Sequence, residues 1–316
     1  MTAAAQRRGR EPTRRAFLTG ALGAGFAVAG NSQRAAAQPR RLIVDSQIHM
    51  WPPNTPERPW VAGARPQLPE PMTIERVVPM IDAAGVDRVV IVPPTLEGKR
   101  VDYGQEAARR FPGRFATMGH VALDDPTEAR RLAGLRDQPA VLGVRLNIAG
   151  AQAAWLTDGT ADWLWGAAEK ARVPVMFLTT GQTALFAPIA ERHPALTLII
   201  DHLGISSETV RNKGIPEAVA ASASLAKYQN VSVKLSSIPL FSNEPYPFRD
   251  MTDHIRRLFD AFGPQRCHWG TDVTNSFAKA SYRERVTHFT ETLAFLTEDD
   301  KDWVMGRAIL QRLRWS

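Results

Sequence analysis

Short apolar runs alternate with amphipathic segments along most of the chain, and each apolar run ends in polar residues. Leu42-Ile43-Val44 leads into Asp45, Gln47 and His49. A run of this length reads as a buried strand, and Gln47 and His49, two positions apart, share one face of it. The Pro-rich stretch from Pro52 to Pro71 is unsuited to regular structure and predicts a long loop over that strand's end. Helical periodicity follows over 73–84, with Thr73 as N-cap and Gly85 as the stop. The alternation then predicts strands at 88–92, 115–118, 141–146, 173–178, 196–200, 231–235 and 266–269. The helices fall at 103–110, 126–135, 161–171, 183–192, 216–227, 249–262 and 280–296.

Eight strands each followed by a helix predict a single (β/α)8 TIM barrel, of the α/β class, with a long loop after strand 1. Runs that are apolar throughout, such as Val173-Pro174-Val175-Met176-Phe177-Leu178, suit strands covered on both faces. A doubly wound open sheet would carry a Gly-rich phosphate turn after the first strand, and Asp45–Trp51 has none.

The N-terminus changes the picture of where the barrel works. Thr13-Arg14-Arg15-Ala16-Phe17-Leu18 is a twin-arginine pattern, followed by a mildly apolar run to Gly30 and the small residues Ala35-Ala36-Ala37. That order reads as an export signal over 1–37, too short in its apolar part to span a membrane, with the barrel over 38–316. Export predicts a periplasmic protein with no stable membrane association after cleavage. The leader holds six arginines against Glu11, five of the +7 net charge, so the remainder is +2 and gives no reason to expect a nucleic-acid partner. Cys267 is the only cysteine, which excludes an intrachain disulfide. Nothing in the composition decides the oligomeric state, and an oligomer stays open.

Polar residues sort to the C-terminal ends of the predicted strands, the end that carries catalysis in barrels. His49 follows strand one, His120 strand three, Arg145 and Asn147 strand four, and Thr179 and Thr180 strand five. Asp201 and His202 follow strand six, Lys234 and Ser236 strand seven, and Asp272 strand eight. His193, His254, His268 and His288 fall in helices, at helix ends or before a strand end, and read as structural. No Gly-x-Ser-x-Gly elbow marks a serine nucleophile.

The motifs Val44-Asp45-Ser46-Gln47-Ile48-His49-Met50-Trp51, Ile200-Asp201-His202-Leu203-Gly204 and Trp269-Gly270-Thr271-Asp272 together resemble the amidohydrolase-related barrels. The branch resembled contains 2-pyrone-4,6-dicarboxylate lactonase and similar lactone hydrolases. The resemblance implies hydrolysis, or less often decarboxylation, at the top of the barrel. Gln47 stands where the family usually has the first histidine of His-x-His, and Leu178-Thr179-Thr180 where metal-using relatives have another. His49, His202 and Asp272 are therefore the only plausible zinc ligands. No cofactor is expected, with zinc as the open alternative.

Within that frame Asp272 is expected to be the general base for water, with His202, His49 and Arg145 polarising a carbonyl and holding an acid group. Arg145 and Lys234, both flanked by apolar residues, suit a carboxylated or sulfonated small-molecule substrate at the barrel mouth. Gln47, Asn147, Trp51, His120 and Thr180 complete the expected pocket. The expected activity is opening of a small anionic lactone. A zinc-dependent decarboxylase or amide hydrolase on the same barrel, and a non-catalytic periplasmic binding protein, remain alternatives.

Overall fold

A computed structural model of the chain describes residues 40–316. The expected leader and its cleavage site lie outside the described residues. The unit Arg41–Ser316 is built on an eight-stranded parallel sheet with its strands in sequence order. The strands are β1 (Val44–Ile48), β2 (Arg88–Ile91), β3 (Phe115–Gly119), β4 (Val141–Ile148), β5 (Val175–Thr179), β6 (Leu198–Ile200), β7 (Val231–Leu235) and β8 (Cys267–Trp269). This is the TIM barrel that the alternation predicts.

The last strand is tied to the first by hydrogen bonds just beyond β8. The Asp272 N–H donates to the Gln47 carbonyl at 2.8 Å, and the Thr271 N–H donates to Asp45 Oδ1 at 2.9 Å. Asp45 Oδ2 accepts from the Thr271 and Tyr282 hydroxyls, each at 2.5 Å. This buried carboxylate therefore stitches the seam of the barrel. Gly270 makes the approach possible, because a Cβ there would lie 2.7 Å from Ser46 Oγ and 3.1 Å from the Gln47 nitrogen.

Alternate strand residues divide between two cores, as the period of two requires. Val89, Ile91, Phe177 and Ile200 belong to the larger core, together with helix residues such as Val77 and Ile255. Val44, Val90, Met118, Leu142, Met176 and Ile199 form a separate cluster with Ile309 and Leu313 of the last helix, Ala308–Leu313. Lys234 and His268, also fully buried, pair in register on β7 and β8.

Several expected helices are shorter or broken. The helix at 74–84 is capped as predicted, with the Thr73 hydroxyl accepting from the Arg76 N–H and Gly85 at φ +75°. The segment 126–135 is instead a series of short turns around Ala129–Ala133, and 280–296 is Tyr282–Thr287 followed by a π turn at His288–Thr292. Short helices at Ser207–Arg211, Ile238–Phe241 and Glu298–Asp302 and the terminal helix were not predicted. The long loop is pinned to the end of β2: Val61 donates to the Leu96 carbonyl, Arg100 to that of Pro59, and Arg58 pairs with Glu97 and Asp102.

Candidate active site

Beyond the strand ends the backbone turns sharply, and it does so with side-chain-bearing residues at positive φ. His202 (52°) and Leu203 (61°) follow β6, Ser237 (63°) follows β7 and Asp272 (48°) follows β8. Each such conformation costs on the order of 1 kcal/mol or more, and clustering of that strain at one end of a barrel marks a functional site. The turns bring His49, His202, Ser237 and Asp272 onto one cavity of about 230 Å³, with Arg145, Asn147 and Asn275 also on its wall.

Asp272 is at the centre. His49 Nε2 lies 3.3 Å from Oδ1 and His202 Nε2 lies 3.9 Å from Oδ2. The Ser237 hydroxyl donates to Oδ2 at 2.5 Å, and the Asn275 amide straddles both oxygens at 2.9 Å. Burial alone would raise this carboxyl's pKa, but His202, His49 and Ser237 outweigh it and hold Asp272 well below the carboxylate range. His49 Nδ1 lies 2.7 Å from the Val92 carbonyl, which only accepts, so that nitrogen carries a proton. Burial pushes His202 down to about 4 against the pull of Asp272 and Asp201, so the ring is neutral near pH 7.

A second cluster sits beside the first. Asp201 is fully buried, with Arg145 Nε donating to Oδ2 at 3.0 Å and the Lys234 ammonium 3.0 Å from Oδ1. Burial opposes its ionisation, yet Lys234 and Arg145 hold it down at about 2. Two cations thus share one carboxylate. The terminal guanidinium nitrogens of Arg145 make no hydrogen bond among the described residues, and Arg145 borders the cavity.

The cavity therefore gathers Asp272, His202, His49, Arg145 and Asn147, while five other expected pocket residues lie off its wall. Lys234 is fully buried, its ammonium held by Asp201 and by Gln47 Oε1 at 2.6 Å; it supports the site from beneath and does not reach the mouth. Gln47 is buried with it for the same reason. Trp51 packs wholly within the larger core. His120 spans the Pro93 and Arg145 carbonyls at 2.8 and 3.0 Å, and Thr180 lies past the end of β5, away from the cavity wall. Sequence reasoning passed over Ser237, Asn275 and Gln67, the last reaching the cavity from the long loop. The Ser-Ser pair after β7 and an Asn three residues beyond Asp272 were the available signals.

Catalytic zinc sites use about three protein ligands and an open position. Here the Asp272 oxygens already receive Ser237 and Asn275, and the oxygen of Gln47, at the position of a usual ligand, is engaged by an ammonium. Among the described residues no group of three or more His, Cys, Asp or Glu is arranged to hold a metal ion. The donors as they stand do not fit zinc, and no step below is routed through it.

Strand-end carboxylate, imidazoles and guanidinium around a small polar cavity define a (β/α)8 barrel with the composition of an enzyme site. The family profile described as Amidohydrolase matches residues 44–309, so the chain belongs to the amidohydrolase family. It is 26% identical over 235 residues to an L-fucono-1,5-lactonase of Burkholderia ambifaria, covering 72% of this chain and 79% of that protein. It is 27% identical over 240 residues to a 4-sulfomuconolactone hydrolase of Hydrogenophaga intermedia, covering 73% and 74%. Among solved structures, an amidohydrolase of Burkholderia multivorans with bound zinc superposes with a TM-score of 0.73 at 22% identity, covering 87% of this chain and 100% of that one. A protein described as a probable 2-pyrone-4,6-dicarboxylic acid hydrolase of Acinetobacter baumannii, with citric acid bound, gives 0.70 at 17% identity, covering 86% and 99%.

Proposed function

We propose that this chain hydrolyses a small lactone carrying a carboxylate or sulfonate. Family membership and the lactone-acting relatives support an enzyme that hydrolyses cyclic esters. The observation that carries the anionic substrate is the state of Arg145: it shares Asp201 with Lys234, and its terminal guanidinium nitrogens, without a hydrogen bond among the described residues, border the cavity. A buried cation without a full complement of partners favours an anionic ligand. The named relatives include a 4-sulfomuconolactone hydrolase and an L-fucono-1,5-lactonase, and the open guanidinium favours an acidic substrate of the former kind.

Asp272 is the proton acceptor in this reading. A water held at the carboxylate loses a proton to it as its oxygen attacks the ring carbonyl. The tetrahedral intermediate expels the ring oxygen, and the proton passes from Asp272 to that alkoxide. A carboxyl so acidic is a weak base, but it returns the proton readily to the leaving group. Arg145 holds the acid group, and the Ser237 hydroxyl and Asn275 amide, both donating to Asp272, keep the carboxylate in place. A panel of carboxylated and sulfonated lactones tests the assignment. Wild type should open at least one, and Asp272→Asn, which keeps the shape and removes the charge, should lower kcat by roughly 10²- to 10⁴-fold. An unchanged kcat in that variant would remove Asp272 from the chemistry.

We further propose export by the twin-arginine route, on the strength of Arg14-Arg15 and the small-residue site at Ala35-Ala36-Ala37. Arg14→Lys combined with Arg15→Lys should leave the unprocessed chain in the cytoplasm; normal secretion of the double variant would contradict the route.

A further inference from the structure

Ser237 holds a side chain in a left-handed backbone conformation that glycine adopts at no cost. Its hydroxyl touches two members of the site at once, Asp272 Oδ2 at 2.5 Å and His202 Nδ1 at 2.8 Å. It has one hydrogen to give. An ionised carboxylate only accepts, so that hydrogen goes to Asp272, and the oxygen must then accept from His202. The Nδ1 of His202 therefore carries the ring's proton, and in the neutral ring Nε2 is bare.

We propose that Ser237 is a positioning residue that fixes the tautomer of His202, so that Nε2 presents a lone pair to the attacking water. This rests on the lactone-hydrolysis reading above and changes the role expected for His202. A bare Nε2 has no hydrogen to offer a substrate carbonyl, so it orients water in place of polarising the ester. Nε2 and Asp272 Oδ2 are 3.9 Å apart, which lets one water oxygen sit within ordinary hydrogen-bond distance, about 2.8 Å, of both. Such a water gives one hydrogen to each acceptor and leaves its lone pairs directed into the cavity. Proton balance is unchanged: Asp272 takes the proton and returns it to the ring oxygen. Ser236 Oγ also lies 2.8 Å from Nδ1. Without Ser237 the Ser236 hydroxyl is free to donate to that nitrogen, and the ring proton moves to Nε2.

The decisive variant is Ser237→Gly, which relieves the positive φ while deleting the hydroxyl. Its Tm should stay within a few degrees of wild type, the relieved φ offsetting the lost hydroxyl hydrogen bonds, while kcat falls roughly 10- to 100-fold with KM within about twofold, the pattern of a mispositioned reactant. A kcat within twofold of wild type would overturn the proposal, since a residue serving only the fold would leave the chemical step untouched. Nitrogen-15 spectra of the His202 ring test the tautomer without any substrate. Wild type should show a protonated Nδ1 and a bare Nε2, and Ser237→Gly should shift the population toward protonated Nε2. Wild type with its proton on Nε2 overturns the proposal whatever the enzyme turns over. The expected spectra with no lactone opened would instead leave the tautomer standing and count against the hydrolytic reading.

Discussion

At the scale of single residues, what separates the site from its surroundings is which hydrogen-bonding capacity is already spent. Lys234 has its ammonium on Asp201, Gln47 and the Met176 sulfur, and Gln47 has its oxygen on Lys234. His202 Nε2 and the outer nitrogens of Arg145 retain capacity toward the cavity. The same accounting yields a prediction about metal. With the Gln47 oxygen held at 2.6 Å by an ammonium, the position of a usual ligand is closed. Purified protein should contain well under one zinc per chain, and chelator-treated protein should keep most of its lactone hydrolysis. Stoichiometric zinc lost together with activity would show that His49, His202 and Asp272 suffice to bind it. Sequence alone placed Asp272, His202, His49 and Arg145 at the strand ends, but it could not tell an arginine facing the cavity from a lysine consumed by a neighbour. Both are flanked by apolar residues; the partner, Asp201, is distant in sequence from each.

Among the secondary-structure elements, the strands were the more legible, because a strand buried on both faces is apolar along its length and stops abruptly. The range at 231–235 agrees residue for residue with β7, and the others agree within a few positions. The helices were less so. A helix covering a barrel needs only a narrow apolar stripe, and segments such as 126–135 satisfy that stripe with consecutive 3₁₀ and α turns. The short helix Ile238–Phe241 escaped prediction because four residues are about one helical turn, too few to show a period. It matters nonetheless: Phe241 lines the cavity, and Ser237, which carries the further inference, is the residue before that helix. The turns after β6, β7 and β8 share positive φ, a feature that non-glycine residues conceal in sequence.

At the scale of the whole molecule, the site depends on burying neutral imidazoles, and stability should record it. Burial holds His202 and His288 at about 4, below the ordinary 6.5, and His288 is wedged edge-on against Phe248 and Phe289. Between pH 6.5 and 4 the unfolded chain binds protons there that the folded chain does not, so stability is present above pH 6.5 and lost as pH falls toward 4. Each ring contributes on the order of 1 to 3 kcal/mol to that loss. Thermal melts should show Tm declining over this window, with a shallower decline in His288→Phe. A Tm independent of pH from 4 to 7 would mean that these rings titrate freely in the folded protein.

The central claim is that Arg145, with its outer nitrogens open to the cavity, reads an acidic lactone, and one comparison bears on it directly. Wild type and Arg145→Met are assayed on a matched pair: a lactone bearing a carboxylate, and the same lactone with that group as its methyl ester. A hydrogen-bonded ion pair in a desolvated pocket is worth on the order of 2 to 4 kcal/mol. The variant should therefore lose roughly 30- to 1000-fold in kcat/KM on the acid and little on the ester. The ratio of the two losses removes any general damage from unpairing Asp201. Equal losses on both substrates would show that Arg145 serves the fold or the ring carbonyl, and would contradict an enzyme built for an anionic lactone.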